Sequence, residues 1–426
     1  MKFLILTQYF APEIGATQVR LGSVCRELTN AGHEVEVVTA MPHHPSGRIF
    51  PEYRGRFYTR EYLDGILIHR VWLYAANGSG LRRILNYLSF MTTSLVGLLK
   101  ARKPDFIFVD SPPLFLGLPG WLAAKLWNCP FIFNVADLWP DSVRDLRIMK
   151  DGFVLQIASA LEKWIYRRAD YVTAVTEGIR ETLIRRKHLP TRKVLFLPNG
   201  VDTELFQPIE PTEGLRRELG IQEVQVVAVY AGNHGYAAAA EQILEAAKLL
   251  PQKLQIHFVF VGDGPEKSKL QKLSGELGLS NITFLPSVPL EKLPAILSIA
   301  NIALVTLRKA EITRGCRPAK SFVMMAAGKP IVLAAEGEAV ELIRRSGSGI
   351  VVPPQCPELF AQAILFLSEN EDHARQMGEA GREFVKTHFA WNILVMDWLS
   401  QLSKASISDA ADGTLYDVEK NQASAD

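Results

Sequence analysis

At 426 residues the chain is too long for one compact core, so two domains are expected. Lys plus Arg (47) nearly balance Asp plus Glu (45), leaving a net charge of +2, which argues against nucleic acid as a partner. The four cysteines, Cys25, Cys129, Cys316 and Cys356, show neither a CxxC pair nor a disulfide-framework spacing, and fit a reducing, cytoplasmic setting.

The N-terminal KFLILTQ reads as a strand rather than a signal peptide, because polar Thr7 and Gln8 follow only a few apolar residues. A helix over TQVRLGSVCRELTNAG, closed by Gly32, leads to the strand HEVEVVTA. The apolar segment Ile84 to Leu99 is short of the roughly 20 residues a bilayer requires and is dotted with Asn, Ser and Thr. Arg82 and Arg83 precede it; Lys100, Arg102 and Lys103 follow it. Two readings stand open: a helix lying on an anionic membrane surface, as a peripheral protein of the inner face would have, or a core helix with solvated ends. DFIFVD, PFIFNVA, DYVTAV and KVLFLPNG continue the strands.

Turn residues Pro198 to Asp202 interrupt the alternation, which restarts with VQVVAVYAG, IHFVFVGDG, NITFLP, IALVTL, PIVLA and GIVVP. Short β-branched strands alternating with amphipathic helices imply parallel βαβ units. The expected architecture is α/β, with two Rossmann-like, doubly wound parallel-sheet domains facing a central cleft. The expected boundaries are an N-terminal domain at 1–198, a linker at 199–204 and a second domain at 205–385. A helix at 386–402 is expected to return toward the first domain, followed by a disordered tail at 403–426. Ligands of such sheets bind at the carboxyl ends of the strands, so the loops there are the candidate site.

Gly15-Ala16, just before a helix, lets backbone approach a ligand. The GxGxxG of a dinucleotide fold is absent there. MPHHPSGRIFPEYRGR is a long loop containing His43 and His44; with no third ligand at metal spacing, it is expected to line an acceptor pocket. Asp137 follows the end of a buried strand in NVADLWPDSVRDL. Pro140 and Asp141 suit the first turn of a helix, whereas Asp137 has no such structural explanation. Carboxylates at 137, 141 and 145 are a poor metal set because the proline breaks their helical spacing. In the second half, Asn233-His234-Gly235 and Gly262-Asp263-Gly264 each follow a strand and can present N–H groups to phosphate. Arg317 and Lys320 flank Pro318 at the start of an apolar helix, a position suited to an anion. Together these loops fit a nucleoside diphosphate.

The motifs QYFAPEIGATQVR, LDGILIHRVWLY, NYLSF, VADLWPDS, PNGVD, YAGNHG, FVGDGP, LPSVP and RPAKSFVMMAAGKP, in this order over residues 1 to 402, resemble the family 4 retaining glycosyltransferases of GT-B architecture. Within that family they look most like the WbuB-like, colanic-acid-type subgroup. The resemblance implies a metal-independent transferase with no cofactor. It would move an N-acetylated or deoxy hexose from a UDP-sugar to a polyprenyl-linked glycan. It implies Asp137 near the reacting sugar, with Arg317, Pro318 and Lys320 on the diphosphate. Gly15 and Ala16 would face the donor phosphate, and Asn233, His234 and Gly235 the pyrophosphate. Gly262, Asp263 and Gly264 would line the nucleoside pocket, with the backbone of Ser287 and Val288 reading the base. His43, His44 and Asn199 are assigned to the acceptor side.

The chain departs from the family at Val323 and Gly315, where many members carry glutamates, the first of them for the donor ribose. The alanine run in HGYAAAAEQ and Asn301, in place of a usual Asp, are further departures. These leave an alternative: a non-catalytic, glycosyltransferase-like binding subunit.

Overall fold

A computed structural model describes the chain except residues 14, 45, 77–79, 142–143, 145–151, 212–213, 223–225, 252–254 and 424–426, and except the side chains at 153, 154, 312 and 408–423. The chain forms two compact units, Met1–Pro198 with Trp391–Asp426, and Asn199–Ala390.

The first unit is built on an eight-stranded sheet of order β3-β4-β2-β1-β5-β6-β7-β8. Its strands are β1 (Lys2–Leu6), β2 (Glu34–Ala40), β3 (Tyr58–Leu63), β4 (Ile66–Val71), β5 (Phe106–Ser111), β6 (Phe131–Val135), β7 (Tyr171–Ala174) and β8 (Val194–Phe196). All pairs are parallel except β3 with β4, an edge hairpin absent from the sequence reading. Its signal was Asp64-Gly65, both with positive φ (49° and 79°), the conformation a two-residue hairpin turn requires. Leu6 pairs with Val38 on one side and Val109 on the other. The chain leaves β1 toward β2 and later returns beside it as β5. The topological switch therefore lies between β1 and β5, where loops diverge and leave a crevice.

Helices α1 (Ala16–Asn30), α2 (Leu81–Lys100), α3 (Gly117–Trp127) and α4 (Phe153–Arg168) accompany this sheet. Two glycines let helices lie close on it. A Cβ on Gly97 would stand 2.6 Å from Val38, and one on Gly120 2.4 Å from Val109. The C-terminal helix belongs to this unit. It begins at Trp391 rather than 386, because Lys386–His388 complete the preceding helix (Glu371–His388). Trp398 is fully buried against Phe3 and Phe108, and Gln401 bonds both backbone groups of Phe196. The helix continues to Ala423, into the stretch expected as a tail. Once its first turns are anchored, each added residue costs little, and no proline interrupts residues 391 to 423.

The second unit carries six parallel strands in the order β11-β10-β9-β12-β13-β14. They are β9 (Val226–Ala231), β10 (Ile256–Val261), β11 (Ile282–Leu285), β12 (Ile302–Thr306), β13 (Ile331–Ala334) and β14 (Gly349–Val352). Its switch lies between β9 and β12. Helices α5 (Glu241–Leu249), α6 (Lys267–Glu276), α7 (Ala319–Ala326) and α8 (Glu338–Ser346) connect them. Residues 199–204 are part of this unit rather than a free linker: Val201 pairs with Ala390 and is buried in the core with Phe206. Asn301 does the work of the usual aspartate, its Oδ1 accepting the Val227 N–H at 2.9 Å. Among the described residues, no helix is long and apolar enough to cross a membrane.

Candidate functional site

In the second unit the loops after β9 and β10 interlock. Gly232, Gly262 and Gly264 adopt φ of 145°, 136° and 155°, a region that side chains rarely enter. A Cβ on Gly262 would sit 2.1 Å from the Gly232 carbonyl oxygen. One on Gly264 would sit 2.5 Å from both Asn233 Oδ1 and the His234 carbonyl. Backbone bonds zip the loops together: His234 N–H donates to Asp263 O and Glu266 N–H to His234 O, each at 2.9 Å. Lys267, one turn after Asp263, ties the base of the loops by donating to the carbonyls of Gly262 (2.8 Å) and Leu285 (2.9 Å) and to Asp263 Oδ1 (2.8 Å).

Asp263 takes a different role from the one expected. Its second oxygen accepts the Ser287 N–H at 2.7 Å, and the Lys267 bond together with this one holds its carboxyl below the usual range. The Ser287 amide is thus occupied by a carboxylate instead of facing a base, and Val288 packs part-buried on the core.

His234 is fully buried beside the Tyr230 and Phe260 rings, and neither ring nitrogen has a hydrogen-bond partner. Burial, reinforced by the positive charges of Lys267 and Lys320, lowers its pKa to about 4, so it is neutral at pH 7. Lys320 Nζ lies 3.8 Å from the centre of the Tyr230 ring, and the Lys320 side chain runs against Gly232. A cation over an aromatic face is favourable. Yet enclosure still pulls the Lys320 pKa down to about 7. Pro318 caps α7, so Lys320 is its second residue and stands beside the free amides of the helix start. Arg317 is half-buried, with its Nε 2.7 Å from the carboxylate of Glu338 at the start of α8. Gly337 makes this approach possible: its φ is 75°, and a Cβ there would stand 2.0 Å from the Arg314 carbonyl.

The alanine run is equally packed. Ala238, Ala239 and Ala240 are buried, and their loop is held by Thr306 on the Ala238 carbonyl and by Arg308 over the Tyr236 ring at 4.0 Å. Val323 is part-buried in the core, and neither it nor Gly315 supplies a carboxylate. The structure thus brings Asn233, His234, Gly235, Gly262, Asp263, Gly264, Arg317, Pro318 and Lys320 to the carboxyl edge of one sheet, around its switch point. Asn199, assigned to the acceptor side, opens this unit instead of lying on the first sheet.

In the first unit, Gly15 precedes α1 in extended conformation, and Ala16 is exposed. Asp137 lies two residues past β6, half-buried, with its carbonyl accepting the Trp139 N–H at 2.9 Å. Asp141 is held by Lys187 at 2.7 Å, and Lys187 also meets the fully buried Glu162 at 2.7 Å. Asp145 lies outside the described residues. The expected acceptor contact at His43 is corrected. The ring is only 2% exposed, stacked on Tyr9, with Nδ1 3.1 Å from the Met41 carbonyl. Glu13 is the reason: its Oε1 accepts the amides of both His43 and His44 at 2.8 Å and so draws their loop inward. Burial raises Glu13 to about 7 and lowers His43 to about 4. His44 remains half-buried at the surface.

Sequence reasoning missed Tyr230, Lys267, Glu338, Glu13, Lys187 and Glu162. Of these, only Lys267 left a local signal, four residues after Asp263 on a helix start. Among the described residues, no group of three His, Cys, Asp or Glu side chains is arranged to hold a metal ion.

Two family models match, the glycosyl transferase 4-like domain over residues 15–200 and the glycosyl transferases group 1 over 211–384. The chain is 29% identical over 395 residues to the glycosyl transferase WcaI of Escherichia coli (strain K12), a protein assigned to colanic acid biosynthesis. That alignment covers 89% of this chain and 96% of WcaI. In fold it is similar to sucrose-phosphate synthase from Thermosynechococcus elongatus, with a TM-score of 0.75 at 19% identity, covering 96% and 99% of the two chains. It is also similar to Anabaena Alr3699/HepE, solved with UDP and glucose, with a TM-score of 0.70 at 18% identity, covering 95% and 99%. With both domain models matched in order and each sheet doubly wound, the chain belongs to the family 4 glycosyltransferases and is a glycosyltransferase of GT-B fold.

Proposed function

We propose that this enzyme transfers a hexosyl unit, N-acetylated or deoxy, from a UDP-sugar to a polyprenyl-linked glycan during surface polysaccharide assembly. Transfer retains the anomeric configuration, needs no divalent ion and takes place in the cytoplasm at the inner membrane face. The observation that carries this reading is the enclosed, unpaired Lys320 beside interlocked glycine loops and the unpartnered His234. A diphosphate supplies the negative charge that Lys320 lacks and acceptors for the amides of the α7 start. WcaI's assignment to colanic acid supports the polysaccharide setting, and the UDP found in HepE supports the nucleotide.

As the bond from sugar C1 to the diphosphate oxygen breaks, charge gathers on the leaving phosphate. Lys320, Arg317 and fixed N–H dipoles stabilise it without reorganising. The acceptor oxygen bonds to C1 on the same face, and its proton passes to the departing phosphate. Asp137 is assigned to the reacting sugar. Calorimetric titration with UDP in EDTA tests the proposal: micromolar binding that Lys320→Ala loses is expected. Absence of binding would sink the UDP assignment, and failure of GDP, ADP and TDP as well would favour the binding-subunit reading.

A further inference from the structure

Beside the His43–Arg56 loop, the first unit holds an open groove of about 450 Å³ lined by Gly47, Arg48, Ile49, Arg54, Trp72 and Tyr74. Its volume suits a small ligand. Trp72 and Tyr74 are 38% and 41% exposed, unusual for aromatics in a segment that is otherwise firmly held. The segment lies along α2: Thr93 donates to the Trp72 carbonyl at 2.6 Å, Ser89 accepts the Tyr74 N–H at 2.8 Å, and Asn86 donates to the Tyr74 carbonyl at 2.8 Å. Arg54 is oriented by its Nε bond to the Ile49 carbonyl at 3.1 Å. Among the described residues, neither Arg48 nor Arg54 forms an ion pair with a carboxylate. Two guanidinium groups without counter-charge beside two exposed ring faces match a sugar joined to a phosphate: the rings stack on the pyranose, and the guanidinium forks bind the phosphate oxygens.

The neighbouring surface of α2 fits what such a phosphate would carry. Leu81, Leu85, Leu95 and Leu99 are 71%, 45%, 36% and 72% exposed. At 100° per residue they fall within an arc of about 80° and extend about 27 Å along the helix. The helix contains no Asp or Glu, and Arg82 and Lys100 stand near its ends.

We propose that this groove binds the phosphate-linked sugar of a lipid-borne acceptor, with Arg48 and Arg54 on the phosphate, Trp72 and Tyr74 on the sugar, and the leucine face of α2 under the lipid chain. The proposal rests on the glycosyl-transfer reading above and names the acceptor's chemistry.

The test uses the full-length enzyme and citronellyl-pyrophosphate-linked N-acetylglucosamine as the probe, with UDP titration run alongside. Arg48→Ala/Arg54→Ala is expected to weaken probe binding and raise the acceptor KM by at least roughly tenfold, with UDP affinity unchanged. Trp72→Ala/Tyr74→Ala is expected to weaken the probe by roughly fivefold with UDP affinity unchanged. Far-ultraviolet circular dichroism and UDP affinity serve as the folding controls. Phosphatidylcholine vesicles with and without phosphatidylglycerol separate the two sources of phosphate. Loss of anionic-vesicle binding with an unchanged acceptor KM would reassign the groove to lipid headgroups and overturn the proposal. So would a wild-type enzyme that binds UDP but not the probe. Failure of UDP itself to bind would instead strike the donor assignment.

Discussion

Replacing Lys187 with Met tests whether a buried charge triad holds the loop that bears Asp137. Lys187 Nζ stands 2.7 Å from both Asp141 and Glu162, whose side chains are 28% and 0% exposed. In the native protein, burial raises the Glu162 pKa, and the hydrogen bond and charge of Lys187 oppose that rise. With Met at 187, burial and the nearby Asp141 charge raise Glu162 without the opposition of Lys187. Breaking a buried pair from one side costs about 3–5 kcal/mol; the partly solvated Asp141 contributes little of it. For a unit of this size that corresponds to a Tm loss of roughly 10 °C. The measurement is direct, because all seven tryptophans lie in the first unit, so indole fluorescence reports its unfolding alone.

The sign with pH also follows. A carboxyl whose folded pKa is raised contributes stability at low pH, which is lost as pH rises from its unfolded value through the folded one. Lys187→Met raises Glu162 further, so the variant's deficit grows toward alkaline pH and shrinks on acidification. Glu162→Gln/Lys187→Met removes both charges and is expected to recover much of the loss. A Lys187→Met protein within about 1 kcal/mol of wild type, or one whose deficit is the same at acidic and alkaline pH, would refute the argument.

Gly264→Ala places a methyl 2.5 Å from two oxygens at a φ of 155°. It is expected to weaken UDP binding at least roughly tenfold with the fluorescence transition unmoved. Because Lys320 has a pKa of about 7 and a diphosphate favours its charged form, UDP binding above neutral pH should take up a proton and weaken as pH rises. Calorimetry in buffers of different ionisation enthalpy measures that uptake, and its absence would remove Lys320 from the site. Trp398→Ala should cost about 3–5 kcal/mol in the fluorescence-detected transition, since the ring is fully buried; a loss below about 1 kcal/mol would show that the C-terminal helix is dispensable.

The strands were legible because parallel sheets covered on both faces demand continuous apolar runs, and such runs need no partner to be recognised. KFLIL, FIFNV and IHFVFV all became the strands they read as. The β3–β4 hairpin was passed over because its outer strand, YTREYL, has no fully buried residue and carries little apolar pattern, although its Asp64-Gly65 turn was visible. The loops at 233–235 and 262–264 were legible as strand-to-helix turns able to present N–H groups. Their interlocking was not, because the 2.1 Å that forbids a side chain at Gly262 is measured to a residue thirty positions away in the chain.

By itself the sequence determined the two doubly wound domains, the family and the positions of the glycine-bearing loops after the strands, because these are properties of local period, turn chemistry and motif order. Only the tertiary structure decided what each charged group does. It spent Asp263 on the Ser287 amide, drew His43 under Tyr9 through Glu13, tied Arg317 to Glu338 and left Lys320 enclosed without a counter-charge. The reason is physical. A charge's role depends on its desolvation and on neighbours within a few ångströms, and in a parallel sheet those neighbours come from strands that are distant in the chain.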